Sequence, residues 1–327
     1  MELMRLFCLP VAEALNSLVG QTEEEGPVLL QEIRLRAERP LMVRVGGKVY
    51  FVSSRGRLLT SSAGAFIVSY EMLAKCLELM SGSSLYAFEN EIQNGYLTVE
   101  GGHRIGLCGR VRVKGGIISS INPVTGLNVR VAHEIKGCAG PLLPHVTQNG
   151  NLLHTLLVSP PGGGKTTMLR DLIRLASDQL GLTVAVADER SELGGSFRGI
   201  PQCDIGERTD LLDGCPKSEG MMLLLRAMNP QVIAVDELGS QEDLAAVRSI
   251  MHAGVKLLCT VHSSSVDELG KRSGFSELFW QGVFERVVIL SSRCGPGTVE
   301  GIYEPDRNGE GQKWRKSWSG VNGSALS

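Results

Sequence analysis

Apolar positions along the chain fall into two styles, and the style changes near residue 150. In the first half, Leu6, Leu9, Val11, Ala14, Leu15 and Leu18 recur among polar neighbours at helical spacing, which predicts a helix over residues 1–20. Three acids and a glycine, Glu23-Glu24-Glu25-Gly26, interrupt it as a solvated loop. From Leu29 to Val49 the pattern becomes alternation. Glu32-Ile33-Arg34-Leu35-Arg36 and Leu41-Met42-Val43-Arg44-Val45 read as strands, and Gly46-Gly47 as the turn that follows. Tyr70–Met80 returns to helical spacing, with Met72, Leu73, Cys76, Leu77 and Met80 on one face. Gly95 to Val131 is rich in glycine and β-branched residues and is punctuated by Gly101-Gly102 and Gly115-Gly116. Gly137-Cys138-Ala139-Gly140-Pro141 and Pro144 then mark an end, so residues 1–145 are predicted to form an α+β domain.

In the second half, short apolar strands alternate with longer helices. Leu152–Val158, Leu182–Ala187, Val232–Val235, Lys256–Val261 and Arg286–Leu290 read as strands. Lys165–Leu180, Ser218–Met228, Gln241–His252 and Glu277–Gly282 read as helices, and a long polar insert precedes Ser218. Alternation of this kind predicts parallel β-α-β units with right-handed crossovers. The fold class expected is therefore α/β: a mostly parallel sheet flanked by helices over residues 146–306, preceded by the smaller α+β domain. Residues 307–327, rich in Gly, Ser and Lys, are expected to be a flexible tail.

Composition narrows the function classes. The chain has 327 residues, of which 43% are hydrophobic, enough for a substantial core. Its 33 basic and 35 acidic residues leave a net charge of −2, so no global field favours nucleic acid or membrane. Aromatics at 5% argue against a base-stacking surface. Eight scattered cysteines contain no C-x-x-C pair, which fits free thiols in a reducing compartment better than a zinc ribbon or a redox motif. No apolar stretch approaches a membrane span and no secretory leader is evident, so a cytoplasmic protein is expected. His103, His133, His145 and His154 lack metal-ligand spacing.

The strongest chemical signal is Ser159-Pro160-Pro161-Gly162-Gly163-Gly164-Lys165-Thr166-Thr167, which follows a buried strand and opens a helix. That is the context of a phosphate-binding P-loop. Glycines let the backbone wrap an anion, and amide N–H groups with the helix N-terminus point at it. Lys165 would neutralise the β- and γ-phosphates of ATP, and Thr166 would place its hydroxyl on Mg²⁺. One departure is Ser159, where the motif has its first glycine. The second half of an ATPase site is supplied by Val232-Ile233-Ala234-Val235-Asp236-Glu237, an apolar strand ending in acids. Asp236 would hold Mg²⁺ and Glu237 would polarise the attacking water. Two further strand ends are polar: Asp188-Glu189-Arg190, and Thr260-Val261-His262-Ser263. Parallel strands share one carboxyl edge, where ligands bind, so all four ends would meet there. Asp188 and Glu189 would assist the metal or the water and His262 would sense the γ-phosphate. Taken singly, each is as easily a polar strand cap.

These residues resemble the secretion ATPases that drive type II and type IV secretion and pilus motors. Leu224-Leu225-Arg226-Ala227-Met228-Asn229-Pro230 before Val232–Glu237 is similar to their Walker B region, Asp188-Glu189 to their acidic box, and Thr260-Val261-His262 to their histidine box. Within that superfamily the chain resembles the stage III sporulation protein AA family of endospore-forming bacteria. Ser159–Thr167, Thr209-Asp210-Leu211-Leu212-Asp213-Gly214-Cys215-Pro216-Lys217 and Gly101-Gly102-His103-Arg104-Ile105-Gly106 carry the likeness, as do Glu32–Arg36 and Ile135–Gly140. It extends from about residue 30 to 305. The resemblance implies a RecA-like ATPase core using ATP and Mg²⁺ in the mother-cell cytoplasm, reaching the forespore membrane through partners. Those partners would be the membrane proteins of a sporulation channel complex. It also implies a homo-hexameric ring in which arginines reach a neighbour's γ-phosphate. Arg104, Arg110, Arg112 and Arg130 are the candidates, by analogy. Two other functions compete. A nucleic-acid-dependent RecA-like ATPase finds weak support: a related plastid group carries an Arg and a His separated by three residues in a single-strand-binding module. Arg248-Ser249-Ile250-Met251-His252 has that spacing but lies inside a predicted helix. A small-molecule kinase would need neither Glu237 as base nor the N-terminal domain.

Overall fold

The computed structural model describes residues 3–19, 30–82, 95–272, 274–280, 282–306 and 313–319. The acidic run at 23–26 lies outside the described residues, as do 307–312 and 320–327. The chain forms two compact units: Met1–His133 with Gly195–Arg198, and Glu134–Gly194 with Gly199–Ser327.

In the first unit a short 3₁₀ turn, Leu3–Leu6, precedes helix α1 (Leu9–Val19). Strands β1 (Leu30–Arg36), β2 (Met42–Val45), β3 (Lys48–Val52) and β4 (Leu58–Leu59) follow, then helix α2 (Tyr70–Met80). Strands β5 (Tyr96–Val99), β6 (His103–Lys114) and β7 (Ile117–Arg130) complete an antiparallel sheet of order β4-β3-β2-β1-β7-β6-β5. Period-two alternation decides which face is buried. Ile33, Leu35, Val43, Leu97, Ile105, Leu127 and Val129 join one core with Val11, Leu15 and Leu18 of α1 and Leu73 and Cys76 of α2. Ser69 caps α2: its Oγ accepts the Met72 N–H, a contact worth about 1 kcal/mol. Phe197, from the small excursion of chain at 195–198, packs on the same core.

The second unit is built on a sheet of six parallel strands and an antiparallel hairpin. The strands are β8 (Thr155–Ser159), β9 (Val184–Asp188), β10 (Thr209–Asp213), β11 (Val232–Val235), β12 (Lys256–His262), β13 (Arg286–Ser291), β14 (Thr298–Asp306) and β15 (Lys313–Ser319). Their order is β10-β9-β11-β12-β8-β13-β14-β15. Helices α3 (Lys165–Asp178), α4 (Lys217–Ala227), α5 (Gln241–His252), α6 (Val266–Lys271) and α7 (Phe275–Trp280) belong to this unit. Strands β8, β9 and β11 are buried at every residue, because both faces of the sheet are covered. That is why they read as unbroken apolar runs. One core cluster joins β8 and β9 residues to α3, and a second joins them to α4, α5 and α7.

Three expectations are corrected. The first concerns the junction, which falls between residues 133 and 134 and not at 145. Ala139, Leu142, Leu143 and Val146 are buried in the second unit's core, so the Gly-rich stretch is a turn inside that unit. The polar insert before Ser218 contains β10. It is an edge strand, half-exposed throughout, so its Leu211-Leu212 pair is too short a signal to read. The third is the expected flexible tail, of which the described part, Lys313–Ser319, is a strand. Lys313–Ser319 pairs antiparallel with β14, Trp314 stacks on Phe279 at 4.5 Å, and Trp318 packs in the opposite core cluster. A bulge between Ile302 and Tyr303 lets the two tryptophans reach opposite faces.

Candidate active site

The parallel sheet brings the ends of β8, β9, β11 and β12 to one edge; Ser159 lies level with His262 in the β8–β12 ladder. From Ser159 the chain turns through Pro160–Gly164 into α3, whose N-cap is Gly164 at φ 84°. Two glycines here are sterically required. A Cβ on Gly163 would lie 2.3 Å from Ser159 Oγ, and one on Gly164 would lie 2.5 Å from the Gly297 nitrogen. The Gly297 N–H in turn donates to the Gly163 carbonyl at 3.0 Å, bracing the loop from the turn before β14.

Lys165 is buried, and its Nζ donates to the Ser159 carbonyl (2.9 Å), Ser159 Oγ (3.2 Å) and the Pro160 carbonyl (3.3 Å). The same Nζ lies 2.9 Å from His262 Nδ1. Burial holds its pKa below the ordinary lysine value, against the pull of Asp236 and Glu237. Among the described residues no carboxylate stands within ion-pair distance of it. A buried ammonium over a glycine loop, with only neutral acceptors, suits a phosphate group. Thr166 Oγ1 donates to Asp236 Oδ2 at 2.7 Å, so two hard oxygen donors of the kind Mg²⁺ takes meet beside the loop.

Glu237 is held through its backbone and its carboxylate. It has φ 57°, in the left-handed region that a non-glycine residue rarely adopts. Its N–H donates to Thr260 Oγ1 at 2.8 Å, and that hydroxyl donates to Asp236 Oδ1. Its carbonyl accepts Lys217 Nζ at 2.9 Å. Its carboxylate spans two cations or donors: Arg190 Nη1 reaches Oε2 at 3.0 Å, and His262 Nε2 is 3.2 Å from Oε1. His262 thus links Lys165 to Glu237. The turn after Glu237 is fixed by a capping box, in which Ser240 Oγ accepts the Asp243 N–H and the Asp243 carboxylate accepts the Ser240 N–H. A cavity of about 360 Å³ opens here, lined by Glu189, Arg190, Lys217, Glu237, His262 and Arg272 among others.

Two of the expected site residues have partners within the protein. Asp188, expected at the metal, is buried with both oxygens engaged by backbone. Oδ1 accepts the Glu192 N–H at 2.9 Å, and Oδ2 accepts those of Leu193 (2.9 Å) and Gly194 (2.8 Å). It anchors the loop after β9, and burial pushes its pKa up to about 6 despite those three donors. Glu189, expected to assist the water, is paired with Lys217 at 2.9 Å. Arg104, Arg110, Arg112 and Arg130 all lie in the first unit. Arg104 faces Arg130 across the β6–β7 ladder, with its guanidinium 4.1 Å from the centre of the Tyr96 ring. Arg248 pairs with Glu277 at 2.7 Å from within α5, as an ordinary helix-surface contact. Sequence reasoning did not single out Arg190, Lys217 or Thr260 as site residues. Thr260 and Lys217 do stand in the motifs quoted above, two positions before His262 and at the end of the "LLDGCPK" stretch.

Comparison with known proteins bears on the whole chain. Residues 6–311 match the family model described as "Sporulation stage III, protein AA". The stage III sporulation protein AA of Bacillus subtilis (strain 168) is 39% identical over 301 residues, covering 90% of this chain and 94% of that protein. The chain belongs to the stage III sporulation protein AA family. Solved structures extend the likeness of this family member at the level of fold. The ATPase DotB of Yersinia pseudotuberculosis superposes with a TM-score of 0.52 at 12% identity, over 88% of this chain and 74% of that one. The pilus retraction motor PilT with bound ADP gives 0.50 at 14% identity, over 92% and 81%. The family member therefore has the α/β fold of a secretion ATPase. Among its described residues no helix is long and apolar enough to cross a membrane.

Proposed function

We propose that this chain is an ATP-hydrolysing motor that energises a secretion-like transport complex between mother cell and forespore. The observation that carries the reading is the connected set Lys165–His262–Glu237–Arg190 beside the Thr166–Asp236 contact. It joins a phosphate loop to an acidic strand end, which supports a hydrolytic reading. Residues Ser159 to Thr167 bind the phosphates, with Lys165 Nζ leaving its loop carbonyls for phosphate oxygens. Thr166 and Asp236 would hold Mg²⁺, which supplies neutralisation of phosphate charge when bound. Glu237 accepts a proton from the attacking water, and its backbone is fixed for this by Thr260 and Lys217. His262, in contact with both Lys165 and Glu237, reports phosphate occupancy to the base. Family membership supports the sporulation setting, and the fold of DotB and of the ADP-bound PilT supports nucleotide chemistry.

The same reading has the chain act in the mother-cell cytoplasm, as a homo-hexamer docked on membrane proteins of the channel. An arginine of one copy's first unit, from among Arg104, Arg110, Arg112 and Arg130, then completes the neighbour's site. Nucleic acid is not needed: the chain is close to neutral and poor in aromatics. Steady-state ATP turnover with and without single-stranded RNA or DNA tests the reading. Turnover that ignores nucleic acid supports the transport motor, and turnover that depends on it favours the nucleic-acid-dependent ATPase.

A further inference from the structure

Strands β6 and β7 continue past the sheet to which they belong. β7 pairs with β1 only along Gly126–Arg130, and β6 pairs with β5 only along His103–Gly106. From Gly109 outward, and back to Val124, the two strands pair only with each other. Among the described residues they form a two-stranded ribbon with neither outer edge paired. Val111 stands opposite Ile121 and Val113 opposite Ile118, so these four β-branched residues share one face. Ile121 still packs against the unit's core. The other three are exposed: Val111 45%, Val113 63% and Ile118 40%. Arg110 and Arg112 alternate onto the opposite face and are exposed. Residues 103–130 hold five Lys and Arg and no Asp or Glu, in a chain whose net charge is −2.

We propose that this ribbon is a docking element for an anionic lipid surface. Its chemistry is that of an interfacial amphipathic segment, with an apolar face for the acyl boundary and basic residues on the polar face for lipid phosphates. The local charge is complementary to such a surface, although the chain as a whole is slightly acidic. A single-stranded nucleic acid would use the arginines but leave Val111, Val113 and Ile118 in water, and residues 109–124 contain no aromatic side chain on which a base could stack. The inference does not depend on the ATPase reading. It gives the protein a membrane contact of its own beside any protein partner.

The test is co-sedimentation of the full chain with vesicles of phosphatidylcholine alone, or of equal parts phosphatidylcholine and phosphatidylglycerol. Binding is expected only to the anionic vesicles and weakens with salt. Arg110→Gln with Arg112→Gln lowers that affinity about 25-fold, each charge contributing about fivefold. Val111→Ser, Val113→Ser and Ile118→Ser together lower it at least about tenfold. Val113→Trp keeps the ribbon apolar and gives a second readout, a blue shift of its indole emission on adding anionic vesicles. Absence of binding to anionic vesicles, an unaffected serine variant, or a Val113→Trp emission that vesicles do not move would each overturn the proposal. Single-stranded RNA binding that the arginine changes abolish, without vesicle binding, would also overturn it and assign the ribbon to nucleic acid.

Discussion

Thr260→Val replaces one hydroxyl by a methyl of similar size at a fully buried position. The hydroxyl accepts the Glu237 N–H at 2.8 Å and donates to the Asp236 carboxylate. A hydrogen bond to a charged acceptor contributes about 1.5–3 kcal/mol, and a stranded backbone donor costs about 1–3 kcal/mol. Asp236 and Glu237 are only half-buried, so water recovers part of this, and the expected loss is about 2–4 kcal/mol. The Leu238 N–H to Thr260 carbonyl bond, at 2.9 Å, is unaffected, so the strand itself persists. Glu237 at φ 57° is then free to relax from a conformation that costs about 1–2 kcal/mol. Urea unfolding measures the first effect and ATP turnover the second. The variant is expected to lose about 2–4 kcal/mol and at least about tenfold in turnover while still binding nucleotide, and Thr260→Ser should restore most of both. A Thr260→Val protein within about 0.5 kcal/mol of wild type, with unchanged turnover, would refute the reasoning that this hydroxyl holds the two acids.

Lys165→Ala should abolish nucleotide binding measured by calorimetry, since no other buried cation donates into the loop among the described residues; unchanged affinity would remove the P-loop assignment. Arg190→Ala should cost less than about 1 kcal/mol in unfolding. The Arg190–Glu237 pair is 58% and 36% exposed, so a loss above about 2 kcal/mol would contradict the surface reading of this contact. Asp188 titrates at about 6 in the folded protein against 3.8 in an unfolded chain, so the folded state binds the extra proton between those values. Its contribution to stability is therefore largest below about pH 4 and falls as pH rises through about 6, by about 3 kcal/mol in all. The stability difference between wild type and Asp188→Asn, followed by urea unfolding from pH 4 to 7, should decline with rising pH; a flat difference would mean that Asp188 is not buried as an acid.

Much of the second unit was legible because its strands are buried on both faces and bounded by turn residues. Val232–Val235 and Gln241–His252 coincide with the expected strand and helix to the residue. What could not be read were elements held by tertiary contacts. Strand β10 is a half-exposed edge, and β15 owes its place to Trp314 and Trp318 finding pockets on opposite faces of the sheet. In the site, the residue types announced the phosphate loop and the acidic strand end. Which acid faces which partner was not announced. Asp188 and Asp236 both end buried strands, yet one is saturated by three backbone amides and the other meets Thr166. That difference lies in the course of the loop after β9, where Ser191 has a positive φ and the chain folds back on its own carboxylate. Likewise the pairing of Glu189 with Lys217 requires β9 and the start of α4 to meet, and no sequence spacing encodes that.

The central claim is that Glu237, fixed between Arg190 and His262, is the base of an ATPase. Steady-state ATP turnover of the wild-type chain against Glu237→Gln, with nucleotide affinity measured on both, tests it most directly. Glu237→Gln is expected to bind ATP as tightly as wild type and to turn over at least about a hundredfold more slowly, within the range that a positioned general base supplies. Equal turnover by the two proteins would contradict it and move the search for the base to another residue.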